Sequence, residues 1–229
     1  KQTEDAARRI FPGVESDAID TLEFRTQDDR PLESVRAGEG WQIRVPVVFP
    51  GDDVNLDAIA STLAGLTSEA AIESPEAPEI YGLGKAARRI RFRAAGQAYG
   101  LEIGSETPVG GNVYAARDDD PKRVFTVASF RVSSFDRDLD SLRDRRVLSF
   151  DRTRVERIAA GWPGGSVKLE RSAAGWAIAE PRDVSGPADE KAVEDLLSDV
   201  AFLRAEGFVD IDADADADDN TDTDTDTDP

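Results

Sequence analysis

The side chains able to do chemistry in this sequence are carboxylates and guanidiniums: 47 Asp and Glu stand against 28 Lys and Arg, with no His and no Cys. Without His, the commonest general base, the Ser-His-Asp arrangement and the usual transition-metal ligand are excluded. Without Cys, so are thiol nucleophiles, disulfides and Cys-based zinc sites. Asp118-Asp119-Asp120 could offer hard oxygen ligands to a divalent cation, but Pro121 follows at once and the run reads as a solvated hairpin turn. Gly82-Leu83-Gly84-Lys85 lacks the spacing and the Ser or Thr of a phosphate loop, and Gly110-Gly111 stands alone. A carboxylate pair of the glycosidase kind carries no information here, because so many acids always supply some pair at a suitable separation. The remaining cluster is Arg143-Asp144-Arg145-Arg146. Arginine forks suit carboxylates at interfaces, so Arg143, Arg145 and Arg146 are candidate partner contacts, with a structural ion-pair network as the alternative. The sequence nominates no catalytic residue, no cofactor and no metal ligand.

The elements that must position such residues follow from the apolar spacing. Gly40-Trp41-Gln42-Ile43-Arg44-Val45-Pro46, followed by Leu56, Ile59, Leu63 and Leu66, recurs as Gly175-Trp176-Ala177-Ile178-Ala179-Glu180-Pro181, followed by Val193, Leu196, Leu197, Val200 and Leu203. Alternation at period two predicts strands through the Trp motifs, and the three-to-four spacing behind each predicts a helix. Asn55 is read as the N-cap of the first helix and Asp189 as that of the second. Ile19, Leu22 and Phe24, then Leu32 and Val35, supply two strands ahead of Trp41; Val155 and Ile158, then Val167 and Leu169, do the same ahead of Trp176. The expectation is an α+β protein with antiparallel sheets, in which a duplicated strand-strand-strand-helix module flanks a central β meander.

The corresponding boundaries are 1–10 as a linker after a missing N-terminal segment, 11–79 as the first repeat module and 80–149 as the meander with a short helix over 134–144. The second module spans 150–209, and 210–229 is a disordered acidic tail. The tail holds ten Asp and no base, so that half of the formal charge of −19 belongs to it. Trp41 and Trp176 could line a carbohydrate-binding face; one per module on an alternating strand fits packing beneath the helix better. A surface this acidic repels nucleic acid and anionic membrane. No apolar run approaches the roughly 20 residues of a membrane span, so any anchor is expected in the missing segment.

The order Phe11, Gly40-Trp41 with Pro46, a helix, Tyr81-Gly82-Leu83, Gly104 with Tyr114, Leu142-Arg143-Asp144-Arg145, Phe150-Asp151 and a second Trp-strand-helix unit resembles the family filed as domain of unknown function 4340. The resemblance covers residues 11 to 209, with one departure: the family's Tyr-Gly-Leu runs on into Pro, whereas Gly84 follows here. It implies an extracytoplasmic domain behind an N-terminal membrane anchor, with a membrane protein complex, including ABC-type transporter subunits, as partner. It supplies no catalytic residues. The expected function is therefore a non-enzymatic binding or scaffolding domain accessory to a transport or gliding-related envelope assembly. The alternatives are an envelope polysaccharide- or peptide-binding module and, behind it, a carboxylate-dependent hydrolase.

Overall fold

The computed structural model describes residues 8–38 and 40–209. The acidic tail and most of the expected linker lie outside them. The chain divides into two units, Lys1–Asp144 and Arg145–Pro229, and is α+β, with antiparallel sheets and few helices.

The first unit is a nine-stranded sheet of order β4-β3-β2-β1-β6-β7-β8-β9-β5. Its strands are β1 (Ile19–Arg25), β2 (Pro31–Ala37), β3 (Gly40–Val45), β4 (Phe49–Pro50), β5 (Ala70–Glu73), β6 (Arg88–Ala94), β7 (Gln97–Glu106), β8 (Asn112–Arg117) and β9 (Arg123–Ala128). β6 pairs antiparallel with β1, Leu22 opposite Phe92 and Phe24 opposite Ile90. The stretch read from sequence as a separate central meander thus continues the sheet that the first module begins, with both backbone edges of β1 paired, one to β2 and one to β6.

Helix α1 (Asp53–Gly65) covers one face of that sheet and buries Leu56, Ile59, Ala60, Leu63 and Ala64. Its N-cap is Asp52, three residues before the expected Asn55. Asp52 accepts the Asn55 N–H at 2.8 Å, and the Asn55 side chain instead donates to the Ser141 carbonyl. A carboxylate one turn earlier satisfies the orphan donors, leaving Asn55 free to tie α1 to a neighbouring segment. The helix expected over 134–144 is broken into short turns: α2 (Ser129–Val132), a 3-10 turn over Ser133–Phe135, and α3 (Leu139–Leu142). Asp138 restarts the chain by capping Ser141 N–H, so a new helix begins where one would have continued. Phe135, Leu139 and Leu142 all reach the core.

The second unit is a four-stranded sheet, β10 (Arg157–Trp162), β11 (Gly165–Ser172), β12 (Gly175–Glu180) and β13 (Gly186–Pro187), with helix α4 (Glu190–Ala201). Asp189 caps α4 as expected, accepting the Ala192 N–H. Among the described residues its buried core is small: Leu169, Trp176 and Val193, ringed by partly buried Val155, Ile158, Val167, Ile178 and Leu197.

Both Trp motifs are built alike. Trp41 and Trp176 are each 4% exposed. The Trp41 N–H donates to Asp53 Oδ1 at 2.7 Å, and the Trp176 N–H to Glu190 Oε1 at 3.3 Å; each acceptor is the first residue of the helix that follows. The preceding glycine leaves room for it, since a Cβ on Gly40 would stand 2.8 Å from Asp53 Oδ1 and one on Gly175 2.6 Å from Glu190 Oε1. An arginine lies over each indole, Arg36 at 4.5 Å and Arg171 at 5.8 Å from the ring centre. In the first unit Asp57 also binds both the Trp41 indole N–H, at 2.8 Å, and Arg36, at 2.7 Å.

Deleting either indole leaves a cavity that its neighbours cannot fill. Trp41→Ala and Trp176→Ala should each cost about 3–5 kcal/mol in urea unfolding. Variants of unchanged stability would refute the packing role.

Candidate functional site

The residues best placed to meet a ligand come from the strand at the centre of the first sheet. β6 reads Arg88-Arg89-Ile90-Arg91-Phe92-Arg93-Ala94, and its alternation buries Ile90, Phe92 and Ala94 while leaving Arg89, Arg91 and Arg93 exposed on the opposite face. Cross-strand neighbours of mixed character surround them: Glu23 faces Arg91 and Thr21 faces Arg93 from β1, while Glu102 faces Arg89 and Gly100 faces Arg91 from β7. Arg89 is engaged, 2.6 Å from Glu102 and donating to the Gly84 carbonyl. The side chains of Arg91 and Arg93 form no hydrogen bond or ion pair among the described residues.

Three hollows meet at Arg91. One of about 830 Å³ runs past Glu23, Arg25, Lys85 and Asp136. One of about 620 Å³ lies toward Glu102, Asp118 and Arg123, and one of about 300 Å³ toward Thr21, Arg93 and Tyr99. Gly100 opens the floor between them: a Cβ there would come within 2.0 Å of the Asp118 carboxylate, which folds across it. The guanidiniums let this face hold an anion by charge and forked hydrogen bonds.

The rim is fixed by the Asp118–Asp120 run, which forms the expected turn between β8 and β9. Arg117 binds Asp119 at 2.5 Å and Arg123 binds Asp120 at 2.5 Å. The hydrogen bond from Arg117 holds the Asp119 carboxyl below its ordinary range, and the same bond raises Arg117.

The family-like motif residues form a second close-packed feature on this unit. Tyr81 stacks edge-on to Tyr114 at 5.0 Å, and Gly82 takes a left-handed φ of 68°. A Cβ on Gly104 would meet the Tyr81 carbonyl at 2.2 Å, and one on Gly82 the Ser105 nitrogen at 2.6 Å. The turn from Pro78 to Leu83 thus presses closely on β7 at Gly104 and Ser105, a packing role.

The candidate contacts named from sequence separate. Arg143 is 2% exposed and belongs to the first unit, where its backbone bridges Gly51, its guanidinium lies 3.5 Å from Asp140 and it sits over the Phe49 ring. A guanidinium so buried holds the fold together around Asp140 and Phe49. Arg145 and Arg146 belong to the second unit; Arg145 is half-buried with its carbonyl accepting the Ala205 N–H, and Arg146 is exposed and bridges Arg204. Arg89, Arg91 and Arg93 were not nominated at all. Their signal in the sequence is the strict alternation of Arg with Ile90 and Phe92. Among the described residues no helix is long and apolar enough to cross a membrane, and no cluster of three acidic residues is spaced to hold a metal.

Compared with known proteins, residues 41–226 match the family described as Domain of unknown function (DUF4340). No curated protein and no solved structure matches the chain.

The Asp119 pair sets a pH dependence whose sign is fixed. A carboxyl depressed in the folded state contributes stability that is complete above its unfolded pKa, about 4, and is lost as pH falls through the lower folded value. Asp119→Asn should lower the melting temperature at pH 7, and the gap to wild type should close in strong acid. A gap constant from pH 7 to pH 2 would assign the effect to something other than the ion pair.

Proposed function

The chain belongs to the DUF4340 family, and from that premise we propose that it is a non-enzymatic, extracytoplasmic binding or scaffolding domain of a membrane-anchored protein, accessory to an ABC-type transport or gliding-related envelope assembly. The observation that carries the binding role is Arg91, exposed and unengaged among the described residues where three hollows meet. Acidic side chains of a partner are the ligand this face would recognise, through bidentate bonds to Arg91 and Arg93 beside the already paired Arg89. Glu23, Glu102 and Asp118 set the register by repelling a misplaced carboxylate. The support for the envelope placement is the sequence resemblance, including the anchor it implies.

We read the two Gly-Trp modules as copies of one ancestral unit. Each has a three-strand meander, a Trp N–H held by the first helical carboxylate, an Asp cap and an arginine over the indole. On this reading the first copy gained β6–β9, and with them the arginine face.

Mild-detergent purification of the tagged full-length protein tests the proposal. The wild type should bring down a membrane complex, and Arg91→Gln with Arg93→Gln should weaken recovery at least tenfold without lowering the melting temperature. Recovery should also fall with added salt, as for any partly exposed charge contact. A lone soluble species, or turnover of a small substrate by the domain, would overturn it.

A further inference from the structure

Among the described residues, three of the four sheet edges are blunted. β4 and β13 have two residues each, ending in Pro50 and Pro187, and β5 has four with Pro75 just beyond. Short length and proline are the usual defences against edge-to-edge pairing. β10 has neither. It runs for six residues, Arg157-Ile158-Ala159-Ala160-Gly161-Trp162, without Pro or Lys, and among the described residues it pairs on one side only. Its counterpart in the first unit, β1, has β2 on one side and β6 on the other.

The direction of the unmade hydrogen bonds follows from the ladder. The Glu156 carbonyl accepts the Arg171 N–H, and Ile158, Ala160 and Trp162 stand opposite Leu169, Val167 and Gly165. Backbone groups alternate sides along an antiparallel strand, so Arg157, Ala159 and Gly161 point theirs out of the sheet edge. Trp162, over its cross-strand neighbour Gly165, is still 56% exposed at the end of this edge.

We propose that β10 is a homodimer interface: two copies of the chain join their β10 strands antiparallel about a two-fold axis at Ala160, making one eight-stranded sheet. Side chains directly opposite must share a face, which requires residue numbers of like parity. Centring on Ala160 meets that condition and sets Ile158 against Trp162 of the second copy on the helix-bearing face. Ala159 and Gly161 then exchange both backbone bonds with Gly161 and Ala159 of the second copy, and on the far face only these small residues lie within the ladder, Arg157 falling just outside it. The strand is thus complementary to itself. A five-residue ladder, Ile158 to Trp162, with one Ile–Trp contact on each side falls below the roughly 1,200 Å² of a stable interface, so the dimer is weak and concentration-dependent.

The chain has no Cys, which gives a direct test. Ala160 faces itself across the axis as a non-hydrogen-bonded pair, about 4.5 Å between Cα atoms, within disulfide range. Under mild oxidation of the full chain at about 100 μM, Ala160→Cys should cross-link to a disulfide dimer, and Ala159→Cys, offset by two residues from its own copy, should cross-link at least tenfold less. The Trp emission of the unmodified chain should shift to the blue on concentration, because Trp41 and Trp176 are already buried and only Trp162 can change. Trp162→Lys, on an exposed side chain, should abolish the cross-link in the Ala160→Cys background without loss of melting temperature. Sedimentation as a monomer at 100 μM with no Ala160→Cys cross-link would overturn the proposal, as would equal cross-linking at 159 and 160 or a dimer indifferent to Trp162→Lys.

Discussion

A carboxylate at the first position of a helix, accepting the backbone N–H of a strand tryptophan, is the interaction on which the rest of this structure depends. Asp53 does this for Trp41 and Glu190 for Trp176. A strand N–H left unsatisfied beneath a helix would cost about 1–3 kcal/mol, and a carboxylate at a helix N-terminus is independently favoured by the helix dipole. One bond thus fixes the helix start, its height over the sheet and the burial of the indole. It also explains the glycine before each tryptophan, where any side chain would meet the carboxylate. In the first unit Asp57, one helical turn on, extends the clamp to the indole N–H and Arg36.

With helix α1 committed to one face, the nine-stranded sheet leaves the arginines of β6 exposed on the other, and that sets the chemistry this face offers. Apolar residues of β6 point to the core, and arginines necessarily point away. The same logic makes the second unit lean: among the described residues four strands and one helix bury few side chains, β10 pairs on one side, and Trp162 is 56% exposed. Burial in one place and exposure in the other are consequences of a single packing decision.

Much of this was legible in the sequence because it is written in local spacing. The Trp strands, the strands before them, the helices behind them, the Asp189 cap and the Asp118–Asp120 turn follow from alternation and turn chemistry. What was not legible depends on distant partners. That β6 would pair with β1, merging the meander into the first sheet, is decided by matching apolar faces some seventy residues apart. The shift of the α1 cap from Asn55 to Asp52 turned on Ser141, which draws the Asn55 side chain away. The burial of Arg143 required knowing that its backbone bridges Gly51. The arginine face was visible as a pattern, but its meaning needed the neighbours that leave Arg91 and Arg93 unengaged while Glu102 takes Arg89.

Arginine footprinting of the full-length protein, alone and in its membrane complex, addresses the central claim most directly. With a guanidinium-specific dicarbonyl and peptide mass analysis, Arg91 and Arg93 should react readily in the free protein and be strongly protected in the complex, while Arg143 stays unreactive in both. Arg91 and Arg93 equally reactive in both states, with protection confined to Arg145 and Arg146, would contradict the account and move the contact to the second unit.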